Sequence, residues 1–384
     1  MESPFIYNKY VTGKNFIGRK GDIIILGNLI GAGENVSIYE PPRSGKTSAI
    51  QQAFFNMRIQ GKRFAIAEVN MTATRSIGQL LLQIGDSCIR AFASTPGEYA
   101  DIAGRLLQGT HLVFDPQSYA ETDSILSLTW DVDDEDIRAV FRLPYRLAAE
   151  NSIRLFVIID EFQNVNLTEN GDKICKILES VMKEVREVGS PLCSFLLCGS
   201  QVNAMKEIFE HRRFFYRQVE HFALGPVEDK EIIEHIVKGF LASGKVIDRD
   251  LLLGVCKLFK GHLWYINHFI SICDSLSKGY IMEPVLLDSL SMILAVHEPR
   301  FAATMFDLTT YQVSLLRAVA EGHTKFSTSE VIAKYGLNSS ANVRRLKDAL
   351  CKKEILTFDE KDEPHILDPL FEYWVKKYYF DIKD

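Results

Sequence analysis

Gly45, Lys46 and Thr47 close the stretch YEPPRSGKTSAI, residues 39–50, and in that order they can do phosphate chemistry. Glycine lets the backbone approach a β-phosphate, the lysine ammonium supplies a point charge to the β- and γ-oxygens, and the threonine hydroxyl is a ligand for Mg²⁺. A strand pattern, NVSIYE, precedes the loop and a helical pattern follows it, so backbone N–H groups at a helix N-terminus face the same anion. Pro42, Arg43, Ser44 and Ser48 frame the three and count with them as nucleotide-binding candidates. Glu40 stands where such loops begin with glycine, at a turn that glycine makes at no steric cost. Pro41 and Pro42 can pre-bend that turn, and Arg43 can pair with the glutamate or keep it turned away. The expectation is that the affinity can be weakened without binding having to be abolished.

A second pattern, RLFVIIDEFQNV, is an apolar strand ending in Asp160 and Glu161. An aspartate at a strand end can hold the water shell of Mg²⁺, and the neighbouring carboxylate can polarise an attacking water. Asp160 and Thr47 are therefore the metal candidates, and Asp160, Glu161 and Lys46 the catalytic ones. A further strand, CSFLLCGSQ, ends in Ser200 and Gln201; the serine can sense a γ-phosphate, and the Gly-Ser pair reads equally as a turn. Arg212, Arg213 and Arg217 precede the last strand pattern, where one can reach a γ-phosphate as an arginine finger, or all three are surface charge.

These residues need a scaffold, and 384 residues with 47% hydrophobic content suffice for roughly two or three packed units. Apolar, β-branched runs alternate with helical patterns through about two-thirds of the chain, which predicts a parallel sheet flanked by helices. Its strands are NVSIYE, RFAIAEV, RLFVIID, CSFLLCG and HFALG. Residues 71–153 read as helices with an exposed loop at the acidic run DVDDEDI. After residue 226 amphipathic helices form a small lid to about Pro299. Three further helices and a hairpin, TFDEKDEPHIL, then make a winged helix-turn-helix. The division is 1–226, 227–300 and 301–384.

No secretory leader pattern or transmembrane-length apolar run appears, which predicts a soluble, cytoplasmic protein without membrane attachment. The seven cysteines lack metal-ligand spacing and read as buried thiols. A formal charge of -6 provides no global attraction to nucleic acid.

Taken together, these motifs resemble the STAND class of AAA+ ATPases, specifically the archaeal-type ATPases also found in bacteria. FIGRKGDIIIL is similar to that family's entry motif, with Arg19 kept, and YEPPRSGKTSAI to its phosphate loop, departing at Glu40 and Pro42. FVIIDEFQ and FLLCGS resemble its acidic strand and the strand that follows. YRQVEHFALGPV places Arg217 on the family arginine. KGHLWYINHF resembles its lid element, departing at Lys260 and Leu263, and LDPLFEYWV its winged-helix terminus.

The resemblance implies an α/β P-loop core with a five-stranded parallel sheet, binding ATP or ADP with Mg²⁺. It also implies a switch in which a docked winged helix opens when ATP replaces ADP and hydrolysis resets the closed form. In that picture His262 contacts the nucleotide, while its sequence context reads as well as a histidine packed between lid helices. Arg344, Arg345 and Lys347 on the third winged-helix segment can meet DNA, but the acidic tip DEKDEP opposes it. An unidentified protein partner or self-association is the favoured output. The terminal aromatic stretch FEYWVKKYYF reads as core packing of a last helix.

Overall fold

Four of the five apolar runs pair side by side as read from the sequence, and the fifth shifts by two residues. In the computed structural model, which describes residues 3–382, the strands are β1 (Asn35–Tyr39), β2 (Phe64–Asn70), β5 (Arg154–Asp160), β6 (Cys193–Gly199) and β7 (Val219–His221). They form one parallel sheet in the order β2-β5-β6-β1-β7. β1 and β6 are buried along their whole length, as expected of parallel strands covered on both faces. HFALG was expected as the last strand, but pairing with β1 stops at Ser37↔His221. Beyond it the Glu40 carboxylate accepts the Leu224 N–H at 3.1 Å, so a side chain takes the place of the ladder.

The chain forms two compact units, one of residues 21–40 and 53–224, the other of residues up to Lys20, Pro41–Gln52 and those from Gly225 on. Around the sheet of the first lie α1 (Lys20–Ala32), α2 (Lys46–Ile59), whose start belongs to the second unit, α3 (Ile77–Arg90), α4 (Pro96–Leu106), α5 (Pro116–Thr122), α6 (Asp134–Asn151), α7 (Gly171–Val188) and α8 (Val202–Lys206). Residues 71–153 are helical as read, with an antiparallel ribbon the sequence reading lacks, β3 (Leu112–Phe114) against β4 (Leu126–Leu128). Three-residue strands are too short for a period-2 signal. The ribbon seats on α3 through glycine: a Cβ at Gly85 would lie 2.3 Å from Leu126 Cδ1.

The acidic run is only partly loop, because Asp133 and Asp136 form the capping box that starts α6. Asp136 is fully buried and accepts the backbone N–H of His111 at 2.8 Å. Two of the acids are therefore fold-defining caps.

In the second unit α9 (Asp229–Ala242), α10 (Arg249–Leu258), α11 (Leu263–Leu276) and α12 (Glu283–Phe306) are the helices expected as the lid, with a short parallel pair, β8 (Val246–Ile247) and β9 (Tyr280–Ile281). The lid was expected to end near Pro299, yet α12 runs through that proline for another turn and a half or more. Pro299 removes one helical hydrogen bond. Burial of His297, Phe301 and Met305 on the inner face of the same helix offsets that loss.

Then follow α13 (Thr310–Ala320), α14 (Ser329–Tyr335), α15 (Ser340–Lys352), the ribbon of β10 (Leu356–Phe358) with β11 (Pro364–Ile366), and α16 (Pro369–Trp374), the winged-helix arrangement. In the terminal stretch Phe371, Trp374 and Val375 are buried while Tyr378 and Tyr379 are exposed, so only its first half is core. All seven cysteines are free and six are buried, the Cys256 thiol being pushed up to about 11 by burial. No helix among the described residues is long and apolar enough to cross a membrane.

Candidate functional site

Parallel pairing brings the C-terminal ends of β1, β5 and β6 to one edge of the sheet, since Tyr39 is in register with Gly199 and Ile159 with Leu197. At this edge β5 delivers Asp160 and Glu161, and β6 delivers Ser200. Ligands of open parallel sheets bind outside the strand C-termini.

Asp160 Oδ1 accepts the Glu161 N–H at 3.1 Å. Glu161 sits in the left-handed region, at φ 56°, which turns its side chain back toward β6. There Ser200 Oγ donates to Glu161 Oε2 at 2.6 Å, and Gln163 Nε2 donates to the same oxygen. The carboxylate is thus oriented from one side by two neutral donors. Ser200 is a partner of Glu161 in this arrangement, and Gln163, which the sequence reading passed over, is a second. Arg217 is exposed, with φ 60°, its guanidinium 5.2 Å from the ring centroid of Tyr216 and its carbonyl accepting from Arg186. Arg212 is committed to Asp172 at 2.7 Å and Glu207 at 3.1 Å.

In the other unit the phosphate loop winds from Pro41 into α2. Arg43 and Gly45 are its left-handed residues, with φ of 65° and 97°, while Glu40 lacks a positive φ. That resolves the missing glycine: the turn that needs conformational freedom falls at Gly45, and a Cβ there would also lie 3.2 Å from Arg19 Nη1. Arg19 braces the loop by donating to Ser44 O at 2.8 Å and to Gly225 O at 2.8 Å.

Lys46 is buried, and its Nζ donates to Pro41 O at 3.1 Å, drawing the ammonium across the concave side of the loop. Thr47 is exposed. Ser48 Oγ accepts the Val11 N–H at 3.1 Å and Gln52 Oε1 that of Gly13 at 2.6 Å, so these two side chains hold the N-terminal segment. Ser48 therefore has a scaffolding partner.

Glu40 keeps its carboxylate on the Leu224 N–H, as described above. We expect Glu40→Gly to lower stability by about 1–2 kcal/mol, from the lost bond and the added backbone freedom. Denaturant unfolding checks this, and an unchanged midpoint shows that the contact does not hold the turn.

The lid contributes α11 to the loop. His262 caps that helix, accepting the Tyr265 N–H at 3.4 Å, and its ring donates to the backbone carbonyl of Pro42. Burial holds its pKa below the usual histidine value. Two residues on, the Trp264 ring lies 3.8 Å beneath the Arg43 guanidinium, a cation–π stack that no sequence spacing announces. A cleft lined by Tyr7, Val11, Arg43, Gly45, Ser48 and Trp264 opens between the N-terminal segment, the loop and α11. It combines an aromatic wall with loop N–H groups, the composition that suits a planar base carrying phosphate.

Residues 299–377 match a family described as a probable winged helix domain. No curated protein matches the sequence. Among solved structures the chain is similar to the Walker-type ATPase of Pyrococcus abyssi, with TM-score 0.66 and 14% identity over 97% of this chain and 99% of that one. It is also similar to the ORC2 protein of Aeropyrum pernix in its ADP form, with TM-score 0.56 and 14% identity over 99% and 98%. For that protein's ADPNP-ADP complexes the TM-score is 0.52, with 15% identity over 93% of each chain. Identities this low show shared architecture. The chain has the P-loop ATPase fold of AAA+ type, ending in a winged helix.

Proposed function

We propose that the protein is an ATP-binding, slowly hydrolysing P-loop ATPase of the STAND class, whose lid and winged helix carry nucleotide state to a protein partner or to assembly of its own copies. The observation that carries this reading is the Glu161 carboxylate, held by Ser200 and Gln163 at the C-terminal edge of the parallel sheet. Its division into a nucleotide-binding part (1–226), a lid (227–300) and a winged helix (301–384) belongs to the same proposal.

In this reading Lys46 neutralises β- and γ-phosphate oxygens, with the loop residues Pro42 to Ser48 around them. The oxygen donors Thr47 and Asp160 suit Mg²⁺, which takes few protein ligands and keeps its waters. Bound there, the ion would offset charge on the transferred phosphoryl group. Glu161 orients the attacking water. Ser200, by holding Glu161, ties its position to the presence of a γ-phosphate, and Arg217 is the arginine that would complete the charge. His262 reports on the loop from the lid. ATP is preferred over GTP by resemblance.

Calorimetric titration of Mg²⁺-ATP into the wild type and Lys46→Ala tests the reading. Absence of binding heat in the wild type overturns it.

A second reading rests on Arg344 and Arg345, which are exposed on α15 and whose side chains make no hydrogen bond or ion pair among the described residues. They make a DNA-binding winged helix with a vestigial nucleotide site the alternative. Against it, Lys347 is spent on Asp362 of the ribbon at 2.6 Å. The alternative predicts duplex binding, read by fluorescence anisotropy, that falls steeply with added salt and drops in the Arg344→Ala/Arg345→Ala double variant. We expect no shift with any duplex at low salt.

A further inference from the structure

The switch implied by resemblance needs a winged helix that separates from what it docks on. The packing of the second unit argues for a different moving part. α12 runs unbroken from Glu283 to Phe306 and only residues 307–309 separate it from α13, too short a connection for a flexible linker between lid and winged helix. One contiguous core extends from Phe5 and the α9 residues through Phe269 and Phe301 to Leu370 and Val375. Phe301 of α12 meets Phe371 and Trp374 of the last helix at ring-centroid distances of 5.5 and 5.7 Å.

Over that core sits a polar clamp. Asp368 caps α16, its Oδ1 accepting the N–H groups of Leu370 and Phe371 at 3.0 Å each. The same carboxylate accepts the Tyr265 hydroxyl at 2.8 Å and Arg300 Nη2 at 2.8 Å, and Arg300 also donates to the Tyr265 hydroxyl oxygen at 2.9 Å. Lys260, just before α11, pairs with the buried Glu372 of α16 at 2.5 Å. Four residues, 262 to 265, thus face two ways. His262 and Trp264 meet Pro42 and Arg43 of the phosphate loop, and Tyr265 holds Asp368.

We propose that the lid and winged helix are a single lever, clamped by the Tyr265–Asp368–Arg300 triad and steered from the phosphate loop through His262 and Trp264. This rests on the nucleotide-binding reading above. It makes Asp368 a positioning residue that never touches nucleotide, and it puts no hinge within α12, residues 283 to 306. Coupling is carried because one rigid helical turn cannot shift at the loop without shifting the clamp.

The test is hydrogen exchange on the full chain, saturated with Mg²⁺-ADP or with Mg²⁺ and a non-hydrolysable ATP analogue, in the wild type, Asp368→Asn and Tyr265→Phe. Asparagine still caps a helix, and phenylalanine keeps the buried ring, so both variants retain the core. In the wild type we expect the change of nucleotide to alter exchange in α9–α12 and in α13–α16 together, by about fivefold or more. In either variant the winged-helix response is expected to vanish while the lid keeps its own. A clamp that is merely structural would raise exchange equally with both nucleotides and leave their difference intact, which overturns the proposal. So does a wild type in which the winged helix responds and the lid does not. Calorimetry on the same samples separates these results from a failure of nucleotide binding, which would sink the ATPase reading and the lever with it.

Discussion

Replacing Lys46 with alanine is expected to weaken Mg²⁺-ATP binding by about a hundredfold or more, and with it any turnover. The ammonium is buried in the loop, donating to Pro41 O, and in the proposed function it supplies charge to phosphate oxygens. Removing a preorganised donor from developing or fixed phosphate charge costs roughly 10²–10³-fold. A hundredfold loss corresponds to about 2.7 kcal/mol. A second readout follows from linkage: ligand at 100 times its Kd stabilises a protein by about 2.7 kcal/mol, so Mg²⁺-ATP should raise the melting temperature of the wild type clearly and that of the variant by a small fraction of the shift, since about 0.4 kcal/mol remains when the same concentration only equals the variant's Kd. Equal affinities in the two proteins would remove Lys46 from the site and the P-loop reading with it.

Glu161→Gln is expected to separate binding from chemistry. Glutamine is isosteric, and its carbonyl oxygen still accepts from Ser200 and Gln163, so the local structure at the end of β5 is kept. What is lost is the negative charge that polarises water. General-base catalysis contributes typically 10²–10⁴-fold, and kcat should fall by about that factor while the affinity for Mg²⁺-ATP changes only a few-fold. Single-turnover hydrolysis together with calorimetry checks both halves. A variant that hydrolyses ATP as fast as the wild type would move water activation to another group.

The placement of the candidate residues was legible in the sequence because each depends on local order: Gly45, Lys46 and Thr47 are consecutive at the start of α2, and Asp160 ends an apolar strand and so stands at the sheet edge. The winged helix was legible because its three helices carry caps and apolar periodicity, as with Thr309, Thr328 and Ser339 at their N-caps. The ribbon β3–β4 and the true end of β7 were not, because three-residue strands are set by what they pack against. The extension of α12 past Pro299 was missed for a related reason, since a proline's local cost is outweighed by burial that only the assembled core provides.

Glu40 shows where local reasoning about the backbone falls short. The sequence raised a substitution at a position that in such loops is glycine, and local rules expected strain or weakened binding. The backbone needs no left-handed residue there, and the carboxylate is occupied by an amide 184 residues away. By itself the sequence determined the alternation of strand and helix, the loop, the acid pair and the winged helix, because each is written in residues adjacent along the chain. Only the tertiary structure decided that Ser200 and Gln163 aim Glu161, that Trp264 lies under Arg43, and that Tyr265 and Arg300 hold Asp368. Those contacts join residues far apart in sequence or set angles between neighbours, and they exist only once the sheet register and the shared core of lid and winged helix have brought the side chains within hydrogen-bonding or stacking distance.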